Sequence, residues 1–281
     1  VRYIVAVSGG IDSVVLLDML VRTGEHDLIV AHFDHGIRND SAADARFVEG
    51  LANKYDLPFV TVREELGARA SEELARNRRY AFLRTVAKQH EATIATAHHG
   101  DDIIETIAIN LVRGTGWRGL AVLSASDIFR PLLRQTKADI RAHALENRLE
   151  WVEDSTNAST DYLRNRVRRV VGRHLSLTDK QAIVALWQQQ VTLKTAIDTE
   201  AEAFVQMSNE YSRYLFTQIE SVIACELLRE AIRYATGETP TRPQAERALL
   251  AIKTARTHSL HEVSGQVRLR FTPRTFIVET P

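Results

Sequence analysis

Tyr3-Ile4-Val5-Ala6-Val7-Ser8-Gly9-Gly10-Ile11-Asp12-Ser13 is an apolar run that ends in two glycines and passes directly into the amphipathic stretch 14–20. That order predicts a strand, an anion-binding loop and a helix. Two adjacent glycines remove both Cβ atoms, so the backbone can bend sharply and its N–H groups can approach an anion. The start of the following helix adds its dipole. Ser8 and Ser13 are expected to donate hydroxyl hydrogen bonds to phosphate oxygens. Asp12 would repel phosphate unless a divalent cation lay between them, so the loop predicts Mg2+ on Asp12 together with a nucleotide. No lysine follows the glycines, which excludes G-x-x-x-x-G-K-[ST], and the G-x-G-x-x-G dinucleotide pattern is absent as well.

Working outward, strands and helices alternate. Residues 27–33 read as a strand, 41–55 as a helix with Ser41 as N-cap, and 58–62 as a third strand. Ser71 caps a helix running to about residue 89, 93–97 is a fourth strand, and 101–112 is a helix closed by Gly114 as its C′ residue. The runs 128–133 and 149–152 are expected to add strands around a helix at 137–147. Such alternation predicts an α/β fold, a Rossmann-like doubly wound parallel sheet. From residue 162 the chain turns mostly helical and ends in the β-rich runs 267–271 and 276–278, where the helical pattern of Leu249, Leu250 and Ile252 is read as core. Two domains are expected, 1–185 and 186–281. The 281 residues, 44% of them hydrophobic, suffice for a substantial core, and 36 basic against 36 acidic side chains leave no net charge from which to infer a polyanionic partner. A single cysteine, Cys225, excludes an internal disulfide framework and fits a reducing compartment. The first apolar run is too short for a signal peptide or a membrane span, so a cytoplasmic protein without a membrane partner is expected.

Ligands of such sheets bind beyond the carboxyl ends of the strands, and three of those ends carry polar clusters. The first is the glycine loop, the second Asp34-His35-Gly36-Ile37-Arg38, and the third His98-His99-Gly100-Asp101-Asp102 with Glu105 and Thr106 one turn further on. Asp101 and Glu105 share a helix face at i, i+4, beside Asp102. Carboxylates so placed suit metal binding or the orientation of an amine, although taken singly each also suits a helix start. Without cysteine partners a closed zinc site is not expected. Arg76 and Arg79 share a face flanked by Arg78. They read as phosphate contacts, or as a solvated face paired with Glu72. The stretch Arg113-Gly114-Thr115-Gly116-Trp117-Arg118 combines close backbone approach, guanidinium groups and a stacking surface, or is a helix end and turn with Trp117 in the core. Residues 162–174 hold Arg164, Arg166, Arg168, Arg169 and Arg173 and no acid, and 242–274 have a balance of +5, from six arginines and Lys253 against Glu246 and Glu262. Both stretches point to a polyanion.

Together these blocks resemble the N-type ATP pyrophosphatases, also called the PP-loop superfamily, and within it the tRNA(Ile)-lysidine synthetase family across nearly the whole chain. The matching residues are Ser8-Gly9-Gly10-Ile11-Asp12-Ser13, His35-Gly36-Ile37-Arg38 with Ser41 and Asp44, Ala75-Arg76 with Arg79-Tyr80 and Phe82-Leu83, Ala97-His98-His99 with Asp101-Asp102 and Glu105-Thr106, and Arg113-Gly114-Thr115-Gly116. Arg130-Pro131-Leu132, Glu153-Asp154 with Thr156-Asn157, and Arg164-Asn165 with Arg168 complete the series. The resemblance implies an adenine-nucleotide-binding catalytic domain followed by a tRNA-contacting helical domain, without the second C-terminal domain of longer members. It implies an ATP- and Mg2+-dependent ligase that joins L-lysine to C2 of cytidine 34 in an isoleucine tRNA with a CAU anticodon. The base is first adenylated and then attacked by the lysine ε-amine. It places Ser8, Gly9, Gly10, Ile11, Asp12, Ser13, His35 and Arg38 at the nucleotide, and Asp12, His98, Asp101, Asp102, Glu105 and Arg113 at the chemistry. Arg76, Arg79, Gly114, Trp117, Arg164, Arg166, Arg168 and Arg169 fall to the tRNA. A homodimer is left open.

Three rivals are weighed. A tRNA thiolase of the same superfamily normally needs catalytic or cluster-holding cysteines, and only Cys225 is present. A synthetase that adenylates a small metabolite does not need two basic regions. A non-catalytic tRNA-binding or nucleotide-sensing module would not turn over ATP.

Overall fold

Strand β1 (Arg2–Ala6) has apolar side chains on both faces, as a central parallel strand requires. Tyr3 and Val5 pack into one core cluster and Ile4 into another, so the two-residue alternation of the strand supplies both layers. In this computed structural model, which describes residues 1–36, 41–67, 71–125, 127–153, 163–206 and 210–280, β1 pairs in parallel with β2 (Asp27–Asp34) on one side and β4 (Thr93–Ala95) on the other. Strands β3 (Phe59–Arg63) and β5 (Ile128–Phe129) extend the sheet to the order β3-β2-β1-β4-β5. Helices α1 (Ile11–Thr23), α2 (Ser41–Lys54) and α5 (Lys137–Glu146) pack against the Val5 face, and α3 (Glu72–Gln89) covers the Ile4 face through Tyr80, Leu83 and Val86. Helices on both faces of a parallel sheet make this a doubly wound α/β fold.

Local chemistry explains most element ends. Ser71 Oγ accepts the Leu74 N–H at 3.1 Å and starts α3. Helix α4 (Gly100–Val112) ends in Gly114, whose φ of +69° suits a residue without Cβ. Two expected strands differ. Only Ile128 and Phe129 of 128–133 join the sheet, because Pro131, which has no N–H to donate, begins a 3₁₀ turn at Pro131–Arg134. The run 149–152 forms no strand. Val152 instead donates its N–H to the Gly9 carbonyl at 2.9 Å and closes on the glycine loop.

Helix α6 (Leu163–His174) and the 29-residue α7 (Leu177–Val205) follow. The chain divides into two compact units, Val1–Val191 and Thr192–Pro281, against the sequence expectation of 185/186. The second unit contains α8 (Arg213–Gln218), α9 (Ser221–Thr236) and α10 (Arg242–Thr254). It also holds an antiparallel sheet of β6 (Glu210–Ser212), β7 (Leu260–Ser264), β8 (Val267–Phe271) and β9 (Thr275–Glu279) in the order β6-β9-β8-β7. Phe216, Phe271, Phe276, Leu228 and Ile232 are fully buried there. Leu249 and Ile252 are core as expected, but Leu250 is 60% exposed, since on a helix it falls outside the buried stripe of its neighbours. Among the described residues no helix is long and apolar enough to cross a membrane.

A buried charge ties the first layer together. Asp18 of α1, 2% exposed, accepts from Arg22 Nε at 2.7 Å, from Tyr55 Oη at 2.8 Å and lies 2.8 Å from His143 Nε2 of α5. Burial alone would raise its carboxyl, but the hydrogen bonds from Arg22, His143 and Tyr55 outweigh burial and hold it below its ordinary value. A carboxylate lowered in the folded state stabilises the fold above its unfolded pKa, and that contribution disappears as pH falls through the folded value. Asp18→Asn should therefore cost about 2–4 kcal/mol near neutral pH. In denaturant titrations the gap from wild type should close below about pH 4, and an equal gap at every pH would refute the assignment.

Candidate active site

Gly9 holds φ at +92°, a region open to glycine at little cost, and this turn lets β1 reverse into α1. The loop is closed on itself by Ser13, whose Oγ accepts the Ser8 N–H at 3.1 Å and donates to the Gly10 carbonyl at 2.8 Å. The Ser13 hydroxyl proton expected to reach phosphate is thus spent on the loop, while Ser8 Oγ lies 3.2 Å from Ser13 Oγ and 3.4 Å from the Gly10 N–H. Gly10 is the N-cap of α1 and, having no side chain, caps none of the first-turn N–H groups.

The loop opens into a cavity of about 1000 Å³ beyond the carboxyl ends of β1, β2 and β4. Because β1 lies between β2 and β4, with α1 and α3 on opposite faces, this is the switch point at which doubly wound sheets bind ligands. Of the residues singled out from sequence, Ser8, Gly10, Ile11, Asp12, Ser13, His35, Arg79, His98, Asp101, Asp102, Glu105 and Arg168 line it. Gly9 is buried behind the loop against Phe47 and Val152. Arg38 lies outside the described residues, as does the side chain of Arg164.

The basic loop after α4 is placed elsewhere. Arg113 caps the far end of α4, about 21 Å along the helix from His99, and none of Arg113, Gly114 and Trp117 lines the cavity. Arg113, expected at the chemistry, is not brought to the other site residues in this structure, because the helix carries it away from the strand ends. Trp117 is half-buried in a 3₁₀ turn with the Arg118 guanidinium 4.7 Å from its ring centre. Arg166 and Arg169 are exposed on α6. Arg76 and Arg79 stack on the buried Tyr80 ring at 5.1 and 5.7 Å.

The acids of the cavity wall are matched to cations that the sequence did not pair with them. Glu105, 3% exposed, takes a two-pronged contact from Arg168, at 2.7 Å from Nε and 3.1 Å from Nη2. Asp101 accepts from Lys180 Nζ at 2.5 Å and from the Lys137 backbone N–H at 3.1 Å. These contacts outweigh the burial that would raise its carboxyl and keep it low. The ammonium of Lys137 is ion-paired with Asp12. Asp102 accepts the His99 N–H at 3.0 Å and so caps α4. The His99 ring, 6% exposed, faces three of these carboxylates, with Nε2 3.8 Å from Asp12 and 3.6 Å from Asp102 and Nδ1 3.9 Å from Asp101. Lys137 and Lys180 were missed, since nothing in their neighbourhoods along the chain marks them.

His98 Nδ1 lies 2.9 Å from Thr96 Oγ1. Burial pushes its pKa down to about 3, Asp102 opposes, and Arg130, Arg76 and Arg79 add to the fall. His35 is lowered as well, first by burial and then by Arg79. Both rings are thus held neutral at the cavity wall.

No group of three or more His, Cys, Asp or Glu side chains able to hold a metal ion occurs among the described residues. Mg2+ does not require one, because it takes one or two carboxylates and completes its shell with phosphate and water oxygens. Asp12 fits such a role, since its carboxylate is at the cavity wall and already engages a cation, the Lys137 ammonium.

A protein-family model described as "PP-loop domain" matches residues 1–175. Curated relatives called tRNA(Ile)-lysidine synthase include one from Thermotoga maritima, 33% identical over 90% of this chain and 65% of its own length. Another, from Novosphingobium aromaticivorans, is 32% identical over 95% of this chain and 86% of its own. The chain thus spans somewhat less than two thirds of the Thermotoga relative. Among solved structures, the U34-tRNA thiolase NcsA from Methanococcus maripaludis with its [4Fe-4S] cluster has a TM-score of 0.57 at 17% identity, over 68% of this chain and 72% of that one, a likeness of fold.

The neutral state of His98 can be measured. A histidine lowered on folding stabilises the protein above its unfolded pKa and costs stability as pH falls towards the folded value. Nitrogen-15 imidazole spectra should show His98 neutral from about pH 8 to about pH 5. His98→Gln should lessen the loss of stability over the acid half of that range, and a His98 midpoint above pH 6 would rule out burial as the controlling influence.

Proposed function

The chain belongs to the PP-loop domain family and, within it, to the tRNA(Ile)-lysidine synthases, and on that premise we propose that it uses ATP to join L-lysine to cytidine 34 of an isoleucine tRNA with a CAU anticodon. The observation that carries this reading is one cavity in which a glycine loop at a helix N-terminus faces a wall of carboxylates. The loop suits a polyphosphate and the wall suits an amine.

In the proposed first step the C2 carbonyl oxygen of the cytosine attacks the α-phosphorus of the substrate ATP. A P–O bond forms, the α–β bridge breaks and pyrophosphate leaves. Backbone N–H groups at the start of α1 and the helix dipole stabilise the charge that develops on the leaving group. Mg2+, held on Asp12, would supply further neutralisation of phosphate charge. In the second step the lysine ε-amine forms the C2–N bond and AMP leaves with the former carbonyl oxygen.

The free ε-ammonium has a pKa of about 10.4, so it must shed a proton before attack. Asp102 draws the ammonium in, while Glu105 holds the Arg168 guanidinium at the cavity wall. Entry into a cavity lined by Lys137, Lys180 and Arg168 then favours its neutral form by desolvation and like charge, the proton being given up to solvent water. His98 is too weakly basic to hold the proton. As a neutral ring beside Thr96 it serves instead to accept a hydrogen bond from the amine. Arg76, Arg79 and Arg168 are assigned to phosphates around the extruded base. Gly114, Trp117, Arg166 and Arg169 are assigned to the tRNA beyond the cavity, with residues 186–281 as a further tRNA-contacting part. Such substrates belong to the cytoplasm.

Labelled lysine should enter unmodified CAU-anticodon isoleucine tRNA in the presence of ATP and Mg2+ and spare methionine tRNA. Asp12→Ala should abolish the labelling. Asp102→Asn and Glu105→Gln should each lower lysine transfer at least about tenfold, with less effect on tRNA-dependent pyrophosphate release. Pyrophosphate release without lysine transfer in the wild type would point to a different nucleophile.

A further inference from the structure

The cavity must reconcile two opposed demands. Its wall carries the acids Asp12, Asp101, Asp102 and Glu105, yet a polyphosphate bound at the loop brings its own negative charge beside Asp12, the second residue of α1. Cations must therefore move or be shared when the ligand arrives. The candidates in the wall differ in how firmly they are held. Arg168 is fixed by both prongs of its guanidinium on the buried Glu105. Lys180 is 24% exposed and seated on Asp101. Lys137 is different. Its side chain is 50% exposed, its ammonium meets the Asp12 carboxylate and no other acid among the described residues, and its flexible four-carbon stem carries a compact charge.

The root of that side chain is fixed by the fold, and its half-exposed tip is held by one carboxylate contact. Lys137 is the first residue of α5, capped by Thr136, whose Oγ1 accepts the Asp139 N–H at 3.2 Å. Its backbone N–H is bound by Asp101, which Lys180 holds in turn. A cationic side chain is thus anchored at its base beside the glycine loop, and at its end it is held through the half-exposed ion pair with Asp12. Nothing local in the sequence announces it, because Asp12 lies 125 residues away.

We propose that Lys137 is the exchangeable counter-cation of the nucleotide site: without ligand its ammonium neutralises Asp12, and on arrival of the metal–nucleotide it gives up Asp12 to the metal and moves to a phosphate oxygen. This rests on the nucleotide reading given above. It predicts opposite effects of one substitution on two ligands. Removing the ammonium leaves Asp12 open to a metal alone and strengthens that binding, while it deprives the phosphates of a partner and weakens the complete metal–nucleotide. A residue that merely clamps α1 to α5 would do neither.

The test uses the full chain and its Lys137→Met and Lys137→Arg variants. Mn2+ alone is titrated by electron paramagnetic resonance, and the Mg2+ complex of α,β-methylene-ATP by calorimetry, with melting temperatures recorded for each variant. Lys137→Met should bind Mn2+ at least about threefold more tightly and Mg2+·analogue about tenfold more weakly, and Lys137→Arg should recover most of the analogue affinity. Wild-type protein that binds the analogue while Lys137→Met matches it overturns the proposal alone, as does Lys137→Met with weakened binding of both ligands. Wild-type protein that fails to bind the analogue overturns the nucleotide reading and this proposal with it.

Discussion

The bond between the Ser13 hydroxyl and the Gly10 carbonyl, together with the Ser8 N–H that the same oxygen accepts, is the contact on which the site depends. A loop that must present backbone N–H groups to an anion cannot also satisfy them internally, so its shape has to be held by something else. Ser13 supplies that from below. Val152 supplies it from behind through the Gly9 carbonyl, which is why residues 149–152 are not part of the sheet. Gly9, at φ +92°, allows the turn. The sheet order then aims the loop, for β1 between β2 and β4 opens its carboxyl end at the switch point.

The second organising feature is charge matching. A carboxylate withdrawn from water is costly unless a partner meets it. Glu105 is met by Arg168, Asp101 by Lys180 and the backbone of Lys137, and Asp18 in the layer beneath by Arg22, Tyr55 and His143. The wall is therefore far less anionic than the sequence of acids suggests. Asp101 acts partly as a strut that sets the start of α5 from the start of α4. His98, pushed down to about 3 by burial, contributes no charge at neutral pH, so it works by hydrogen bonding and shape.

The basic stretches follow the same logic. The balance of +5 over 242–274 is partly offset in the fold, because Arg242 pairs with Glu246 at 2.7 Å and Arg270 with Glu279 at 2.6 Å, the latter acid lying just beyond the stretch. Arg168, counted from sequence in a basic run, faces the cavity and is paired there, whereas Arg166 and Arg169 on the same helix remain exposed. A charge count along the chain cannot separate these cases, since neighbours on a helix point in different directions.

Much of the fold was legible in order and spacing. Strand period, helix period, the Ser71 cap and the Gly114 terminus are local properties of a few adjacent residues, so the α/β alternation and the strand ends that carry chemistry followed from sequence alone. The glycine loop, His98 and the acids after β4 were legible for the same reason. The short extent of β5, the path of 149–152, the exposure of Leu250 and the remoteness of Arg113 were not, because each depends on what else occupies the neighbouring space. The cations that complete the site were least legible of all. Arg168, Lys180 and Lys137 meet Glu105, Asp101 and Asp12 across 63, 79 and 125 residues. The sequence by itself determined which acids stand at the strand ends. Only the tertiary structure decided which cation answers each, because an ion pair is a relation of distance in space, and helices from distant parts of the chain supply its second half.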